Sequence, residues 1–95
     1  MTYELEFKKS ALREWKKLGA TIQSQFKKKL TDILNNPHIE SANLSGGNEL
    51  YKIKLRQAGY RLVYEVNDTV ITVTVISVGK RDKGKVYKTA MDRTN

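Results

Sequence analysis

Leu50-Tyr51-Lys52-Ile53-Lys54-Leu55-Arg56-Gln57-Ala58-Gly59-Tyr60-Arg61-Leu62-Val63-Tyr64-Glu65-Val66 is the stretch on which the fold turns. Tyr51, Ile53 and Leu55 alternate with Lys52, Lys54 and Arg56, the period-two signature of a half-buried strand. After Gln57-Ala58-Gly59 the alternation resumes: Tyr60, Leu62, Tyr64 and Val66 form one set, and Arg61, Val63 and Glu65 the other. Two such runs make a hairpin. With both apolar sets in the core, the expected register sets Arg56 opposite Arg61, Lys54 opposite Val63 and Lys52 opposite Glu65. A one-residue slip buries Arg61 and exposes Leu62. A two-residue Ala58-Gly59 turn requires positive φ at Ala58, so a four-residue loop over 57–60 is expected. Lys52, Lys54, Arg56 and Arg61 then project from one face, with Glu65 beside Lys52 as the one opposing charge. Like charges held this close repel one another, an unfavourable arrangement unless an anion binds between them.

Working outward, Asn67-Asp68 reads as a turn. Residues 69–78 are rich in β-branched side chains, with Val70, Ile71, Val73, Val75, Ile76 and Val78 apolar on both faces. That suits a central strand covered on two sides and ended by Gly79. If it continues a meander, Lys80 and Arg81 reach the same end of the sheet as Arg61. The tail 82–95 has weak helical character through Val86, Tyr87, Ala90 and Met91, and its polarity predicts loose docking. In the other direction, residues 2–7 alternate as a strand, with Tyr3, Leu5 and Phe7 inward. Ser10 is placed to cap a helix carrying Ala11, Leu12, Trp15 and Leu18, with Gly19 at a left-handed stop. Thr21 is placed to cap a second helix whose stripe is Ile22, Phe26, Leu30, Ile33 and Leu34, with Pro37 just beyond its end. Trp15 reads as a core anchor, and Lys16, Lys17, Lys27, Lys28 and Lys29 as solvated outer faces. The expected architecture is α+β, in the order β-α-α-β-β-β-α: a small antiparallel-dominated sheet with a helical hairpin on one face, one domain spanning 1–95.

Composition narrows the chemistry. The chain has 95 residues, 18 Lys and Arg against 10 Asp and Glu, and a net charge of +8. Such an excess is the footprint of a protein that meets polyanions. No apolar run approaches a membrane span and no signal peptide precedes the first strand. With no cysteine, thiolate catalysis and thiolate metal sites are excluded, and the cytoplasm is the expected compartment. His38 is the sole histidine and follows Pro37. It reads as a surface loop residue, because metal sites and His-based triads need partners. The acids are scattered, so no two-metal nuclease is expected, and no metal or cofactor.

RNA permits a different reaction. Its 2′-hydroxyl is a built-in nucleophile, and in-line attack on the adjacent phosphate needs neither water nor metal. The protein must accept a proton, deliver one and stabilise phosphate charge. A lysine crowded by cations has a lowered pKa and can serve as base. Arginine forks match phosphate oxygens, and tyrosine rings stack on unpaired bases.

Leu12-Arg13-Glu14-Trp15-Lys16-Lys17-Leu18-Gly19, Tyr51-Lys52-Ile53-Lys54-Leu55-Arg56, Gly59-Tyr60-Arg61-Leu62-Val63-Tyr64 and Val75-Ile76-Ser77-Val78-Gly79-Lys80-Arg81, followed by Val86-Tyr87, occur in this order. Together they resemble the RelE family of the RelE/ParE toxin–antitoxin superfamily, over essentially the whole chain. The resemblance implies a toxin that enters the ribosomal A site and cuts messenger RNA there, inhibiting translation. It also implies a cognate RelB-like antitoxin, through whose complex the pair reaches operator DNA. By match, Lys54 is the general base toward the 2′-hydroxyl and Arg81 the general acid toward the leaving 5′-oxygen. Lys52 and Arg61 stabilise the phosphate and Tyr87 stacks on a base. Arg56, Lys80, Lys83 and Lys85 are further RNA-contact candidates. Ser45 stands where such toxins often carry an arginine, which removes one RNA contact. Two other readings share the fold: a ParE-class DNA gyrase inhibitor, and a non-catalytic RNA-binding homologue.

Overall fold

The computed structural model describes residues 2–44, 49–82 and 84–94. Its elements are β1 (Glu4–Phe7), α1 (Lys9–Lys16), α2 (Ala20–Asn35), a 3-10 turn (Glu40–Ala42), β2 (Leu50–Leu55), β3 (Tyr60–Asn67), β4 (Thr72–Lys80) and α3 (Lys85–Thr94). The sheet order is β1-β4-β3-β2. β2, β3 and β4 form an antiparallel meander, and β1 joins β4 in parallel. The sheet is therefore mixed, with antiparallel pairing dominant. Among the described residues, no helix is long and apolar enough to cross a membrane.

Both helices of the hairpin cover one sheet face. Ala11, Trp15, Phe26, Leu30 and Ile33 pack with Tyr51, Ile53, Leu55, Leu62, Tyr64, Val66, Val73, Val75 and Val78. Trp15 is the anchor that joins them, with ring centroids 5.3 Å from Phe7 and 6.2 Å from Phe26. Phe26 has no exposed surface. Phe26→Ala is expected to cost about 3–5 kcal/mol through lost burial and a residual cavity. Urea unfolding will read this as a lower midpoint at unchanged slope.

The helix starts differ from the expected caps. The backbone N–H of Lys8 still donates to Val75 O at 3.0 Å, so the chain leaves the sheet only there and α1 begins at once. Lys8 and Gly19 are the capping positions, and neither makes a side-chain cap bond. Ser10 and Thr21 lie inside the first turns. Gly19 has φ −66°, an ordinary extended conformation rather than a left-handed stop. Leu5 and Leu12, expected inward, are each 37% exposed, because β1 is an edge strand and α1 buries mainly Ala11 and Trp15.

The hairpin keeps the expected faces but shifts its register by two. Lys54 pairs with Arg61, Lys52 with Val63 and Leu55 with Tyr60. Gly59 explains the shift. At φ +74° it occupies a backbone region that glycine enters without strain, and its N–H donates to Leu55 O at 2.8 Å. The loop is therefore 56–59, and Arg56 belongs to the turn rather than to the strand. Because side-chain direction repeats every two residues, the shift leaves the facing unchanged.

β4 starts three residues later than expected. Asn67 Oδ1 accepts the N–H groups of Thr69 and Val70, and Ile71 sits at φ +53°. Val70 is thus turned out of the fold, 63% exposed. β4 also continues through Gly79 to Lys80. A bulge between Val63 and Tyr64 on one side and Ser77 and Val75 on the other inserts Ile76. It reverses which residues face α3. Ile76 packs there, and the Ser77 hydroxyl donates to Val86 O at 2.8 Å.

α3 is docked more firmly than the polarity of the tail predicted. Val86 and Ala90 close a second apolar cluster with Leu44, Leu50, Val63 and Ile76 on the sheet face opposite the hairpin helices. Beyond Val75, β1 no longer pairs with β4. Glu14 Oε1 accepts Val78 N–H there at 3.2 Å, and the Arg93 guanidinium donates to Ile76 O at 2.7 Å. Arg93 also grips Glu14 with both terminal nitrogens, at 2.9 and 3.1 Å. A bidentate pair of this kind fixes geometry as well as contributing energy. It fastens α3 to α1 across the free edge of β4.

Candidate active site

On the α3 side, β2 presents Lys52 and Lys54, and β3 presents Arg61 and Val63. Lys54 and Arg61 are direct partners across the ladder, at the closest spacing two side chains on one face can have. Arg61 in turn faces Gly79 on β4. A Cβ at Gly79 would meet Val86 Cγ2 at 3.6 Å, an ordinary contact, so the glycine leaves the floor between Arg61 and α3 open by the volume of a side chain. Just past β4, the N–H of Arg81 donates to Gly59 O at 2.6 Å. That bond ties the Arg81 backbone to the β2–β3 turn. α3 then brings Tyr87 to the opposite wall.

The result is a cleft of about 470 Å³ lined by Lys54, Arg61, Arg81, Lys85 and Tyr87, with Asp82, Gly84 and Val86 completing it. Lys52 lies in a neighbouring groove with Lys29, Asp32 and Ile39, and Arg56 in another with Gln25 and Lys29. Lys54 lines all three. Lys80 is exposed and lines a groove with Glu14, Asp82 and Thr89, outside the main cleft. Its displacement follows from the bulge, which gives it the parity of Val78. Lys83 and Ser45 lie outside the described residues.

Electrostatics distinguishes this cleft from an ordinary basic surface. Among the described residues, an ion pair joins Arg93 to Glu14, and the His38 imidazole lies within 4 Å of carboxylate oxygens of Glu49 and Asp68. Lys52, Lys54, Arg56, Arg61, Arg81 and Lys85 have no described carboxylate within ion-pair distance. Removal from water pushes the Lys54 amine below the usual lysine range, and repulsion from Lys52, Arg56 and Arg61 lowers it further. Arg61 donates to its neighbour's carbonyl, Tyr60 O, at 3.0 Å, which orients the guanidinium and leaves its other N–H groups for a ligand. The Tyr87 hydroxyl is enclosed and has no hydrogen-bond partner among the described residues. Leaving such a group unpaired costs about 1–3 kcal/mol, which a bound ligand with a complementary atom would offset.

Chemically, the arrangement offers a lysine that gives up its proton more readily than most, two arginine forks and an aromatic ring around one cleft. Removing a neighbouring cation should reverse part of the shift at Lys54. In Arg56→Gln the ammonium is less repelled, so its pKa rises. If the neutral amine is the active form, activity increases with pH through this titration. The rising limb of a single-turnover pH profile is then expected to move to higher pH in the variant. A limb that stays in place argues that Lys54 is not the titrating base.

Sequence reasoning did not single out Asp82, the one carboxylate lining the cleft among the described residues, or the Glu14–Arg93 pair that holds α3. Asp82 adjoins Arg81 in the chain, a signal available but easily passed over. The Glu14–Arg93 contact joins residues 79 positions apart and leaves no local trace.

Comparison with known proteins identifies the family. The family model described as ParE toxin of type II toxin-antitoxin system, parDE, matches residues 5–84. The chain is 53% identical over 93 residues to the mRNA interferase toxin RelE of Escherichia coli strain K12, with 98% of each chain covered. A mutant E. coli toxin RelE in the free state superposes with a TM-score of 0.92 at 50% identity, covering all of both chains. The toxin of the intact E. coli RelBE toxin–antitoxin complex gives 0.82 at 53% identity, over 85% of this chain and 99% of that one. With near-complete coverage at this identity, the chain belongs to the RelE family of type II toxin–antitoxin toxins.

Proposed function

We propose that the protein is a ribosome-dependent mRNA endoribonuclease, the toxin of a type II toxin–antitoxin pair, which cuts messages in the ribosomal A site. The observation that carries this reading is the convergence of Lys54, Arg61, Arg81 and Tyr87 on one cleft in which removal from water, and then the neighbouring cations, hold the Lys54 amine below its usual range. Lys54 takes the proton from the 2′-hydroxyl. The oxygen attacks the adjacent phosphorus, and the bond to the 5′-oxygen breaks. Arg61, assisted by the field of Lys52, stabilises charge on the nonbridging oxygens. Arg81 delivers hydrogen-bond and proton support to the leaving oxygen. Tyr87 stacks on a base and holds the sugar–phosphate in line. The products are a 2′,3′-cyclic phosphate and a 5′-hydroxyl.

A cleft this open preorganises the strand weakly, and the ribosome supplies the missing alignment, a term that reaches many orders of magnitude in rate when geometry is fixed. The partner that restrains the toxin is a RelB-like antitoxin, by analogy with the E. coli complex. Operator DNA is reached only through that complex, and the reaction belongs in the cytoplasm with translating ribosomes.

Mapping message 5′ ends in a translating extract tests the reading. Wild type should generate new ends between codon positions, and Lys54→Ala none. An extract without new ends contradicts it. Because the matching family model is named for ParE, gyrase supercoiling should be assayed alongside, with no inhibition expected.

A further inference from the structure

We propose that His38, Glu49 and Asp68 form a second site, one for a divalent first-row transition cation of the Zn²⁺ type, at the end of the sheet opposite the cleft. His38 lies between α2 and β2, Glu49 immediately before β2, and Asp68 immediately after β3. Lys54 and Arg61 sit at the other ends of those two strands. One potential ligand atom from each of the three side chains lies within 4.8 Å of the others. The sequence gives His38 no visible partner, yet the fold surrounds it with two carboxylates and two tyrosines.

The spacing suits a metal. Bonds of about 2.0–2.2 Å to imidazole nitrogen and carboxylate oxygen place adjacent ligand atoms about 3 Å apart in an octahedral set and about 3.4 Å apart in a tetrahedral one. His38 Nε2 and Asp68 Oδ1 are 2.9 Å apart. Glu49 Oε2 lies on the Nδ1 side of the ring, 3.5 Å away, and is the ligand that must swing in. It is exposed, so a change of rotamer meets little resistance.

His38 Nδ1 faces the Tyr51 hydroxyl at 3.0 Å. A cation would displace the proton that Nε2 shares with Asp68 Oδ1, leaving the ring proton on Nδ1 to donate to the tyrosine oxygen. A ligating histidine typically has its second nitrogen engaged in this way. The Tyr3 hydroxyl donates to Asp68 Oδ1 at 2.6 Å and orients the carboxylate. Both tyrosine rings meet the imidazole edge to face, at centroid distances of 6.4 and 5.9 Å. Tyr51 stacks on Tyr64, whose hydroxyl donates to Pro37 O at 3.0 Å and so fixes the backbone beside His38. The imidazole is therefore held before any ion arrives.

The donor set selects the class of ion. One borderline nitrogen and two hard oxygens suit Zn²⁺, Co²⁺ or Ni²⁺, with water filling the remaining positions. Ca²⁺ requires six to eight oxygens, which this trio does not offer. Two carboxylates neutralise the dication. Bound there, it cross-links the α2–β2 connection, the start of β2 and the β3–β4 turn. Its role is structural, and it lies away from the cleft.

The test is a calorimetric titration of untagged, chelator-treated protein with Zn²⁺, paired with thermal unfolding. One equivalent should bind, and Tm should rise by about 5–10 °C well above Kd. His38 is the only histidine in the chain, so imidazole-dependent binding is assignable to it. His38→Gln should weaken binding at least about 10-fold and lose the Tm rise. Glu49→Gln supplies a second variant should His38→Gln melt early in chelator. Absence of saturable binding up to about 0.1 mM Zn²⁺ would overturn the site and leave an imidazole–carboxylate ion pair only. So would equal affinity in wild type and both variants.

Discussion

Lys54→Ala is expected to lose cleavage by about 10²–10⁴-fold, the contribution of a well-placed general base, while the protein melts no lower than wild type. The second half of that expectation is the more discriminating. Lys54 is directly opposite Arg61, with Lys52 and Arg56 close enough to disfavour its charge. Removing the amine relieves repulsion between like charges without opening a core cavity, since Lys54 is only partly buried. A residue kept at a cost to the folded state, and needed for turnover, is the signature of a functional site rather than a structural one. Single-turnover cleavage on programmed ribosomes and a thermal melt read the two halves separately. A variant that cleaves normally, or one that fails only because it is unfolded, removes Lys54 from the mechanism.

The second large effect is at Arg81. Its backbone is tied to Gly59 O, so the side chain extends over the cleft from a fixed point beside the β2–β3 turn. Loss of one donor aimed at developing charge costs about 10²–10³-fold in rate, and Arg81→Ala should fall in that range or below it. The chemistry also predicts where the loss should shrink. Arginine holds its proton tightly, so Arg81 matters most when the leaving oxygen is a strong base. With sulfur in place of the 5′-oxygen, the leaving group needs little protonation. The Arg81→Ala defect should then become small while the Lys54→Ala defect persists. Equal defects on both substrates would assign Arg81 to binding rather than to departure of the leaving group.

Strand alternation made the site faces readable before the contacts were known. Tyr51, Ile53 and Leu55 against Lys52 and Lys54 admit only one way to bury the apolar set, and Arg61 follows by the same rule. The register did not follow, because it depends on which loop position takes positive φ. Placing Gly59 last in the loop, rather than inside it, moves every pair by two and brings Lys54 to Arg61. The bulge at Ile76 was hidden for a different reason: an apolar residue in a strand covered on both faces satisfies either parity. It decides that Ser77 bonds to α3 and that Lys80 leaves the main cleft. The docking of α3 was underestimated because its apolar content is small. Much of the attachment is polar, through Arg93, Glu14 and Ser77, and such contacts between distant residues leave no periodicity to read. His38 is the same case in miniature, since its partners come from positions 49, 51 and 68.

On the proposed mechanism this cluster of cations acts on the RNA's own 2′-hydroxyl. The most direct measurement uses ribosomes programmed with a message carrying a single 2′-deoxynucleotide on the 5′ side of the cut phosphate, assayed beside the all-ribose message. The expected result is normal cleavage of the all-ribose message, leaving a 2′,3′-cyclic phosphate, and no cleavage at the substituted position. Cutting of the deoxy-substituted linkage at the wild-type rate would show that water or another nucleophile performs the attack, and would contradict the assignment of Lys54 and its neighbours.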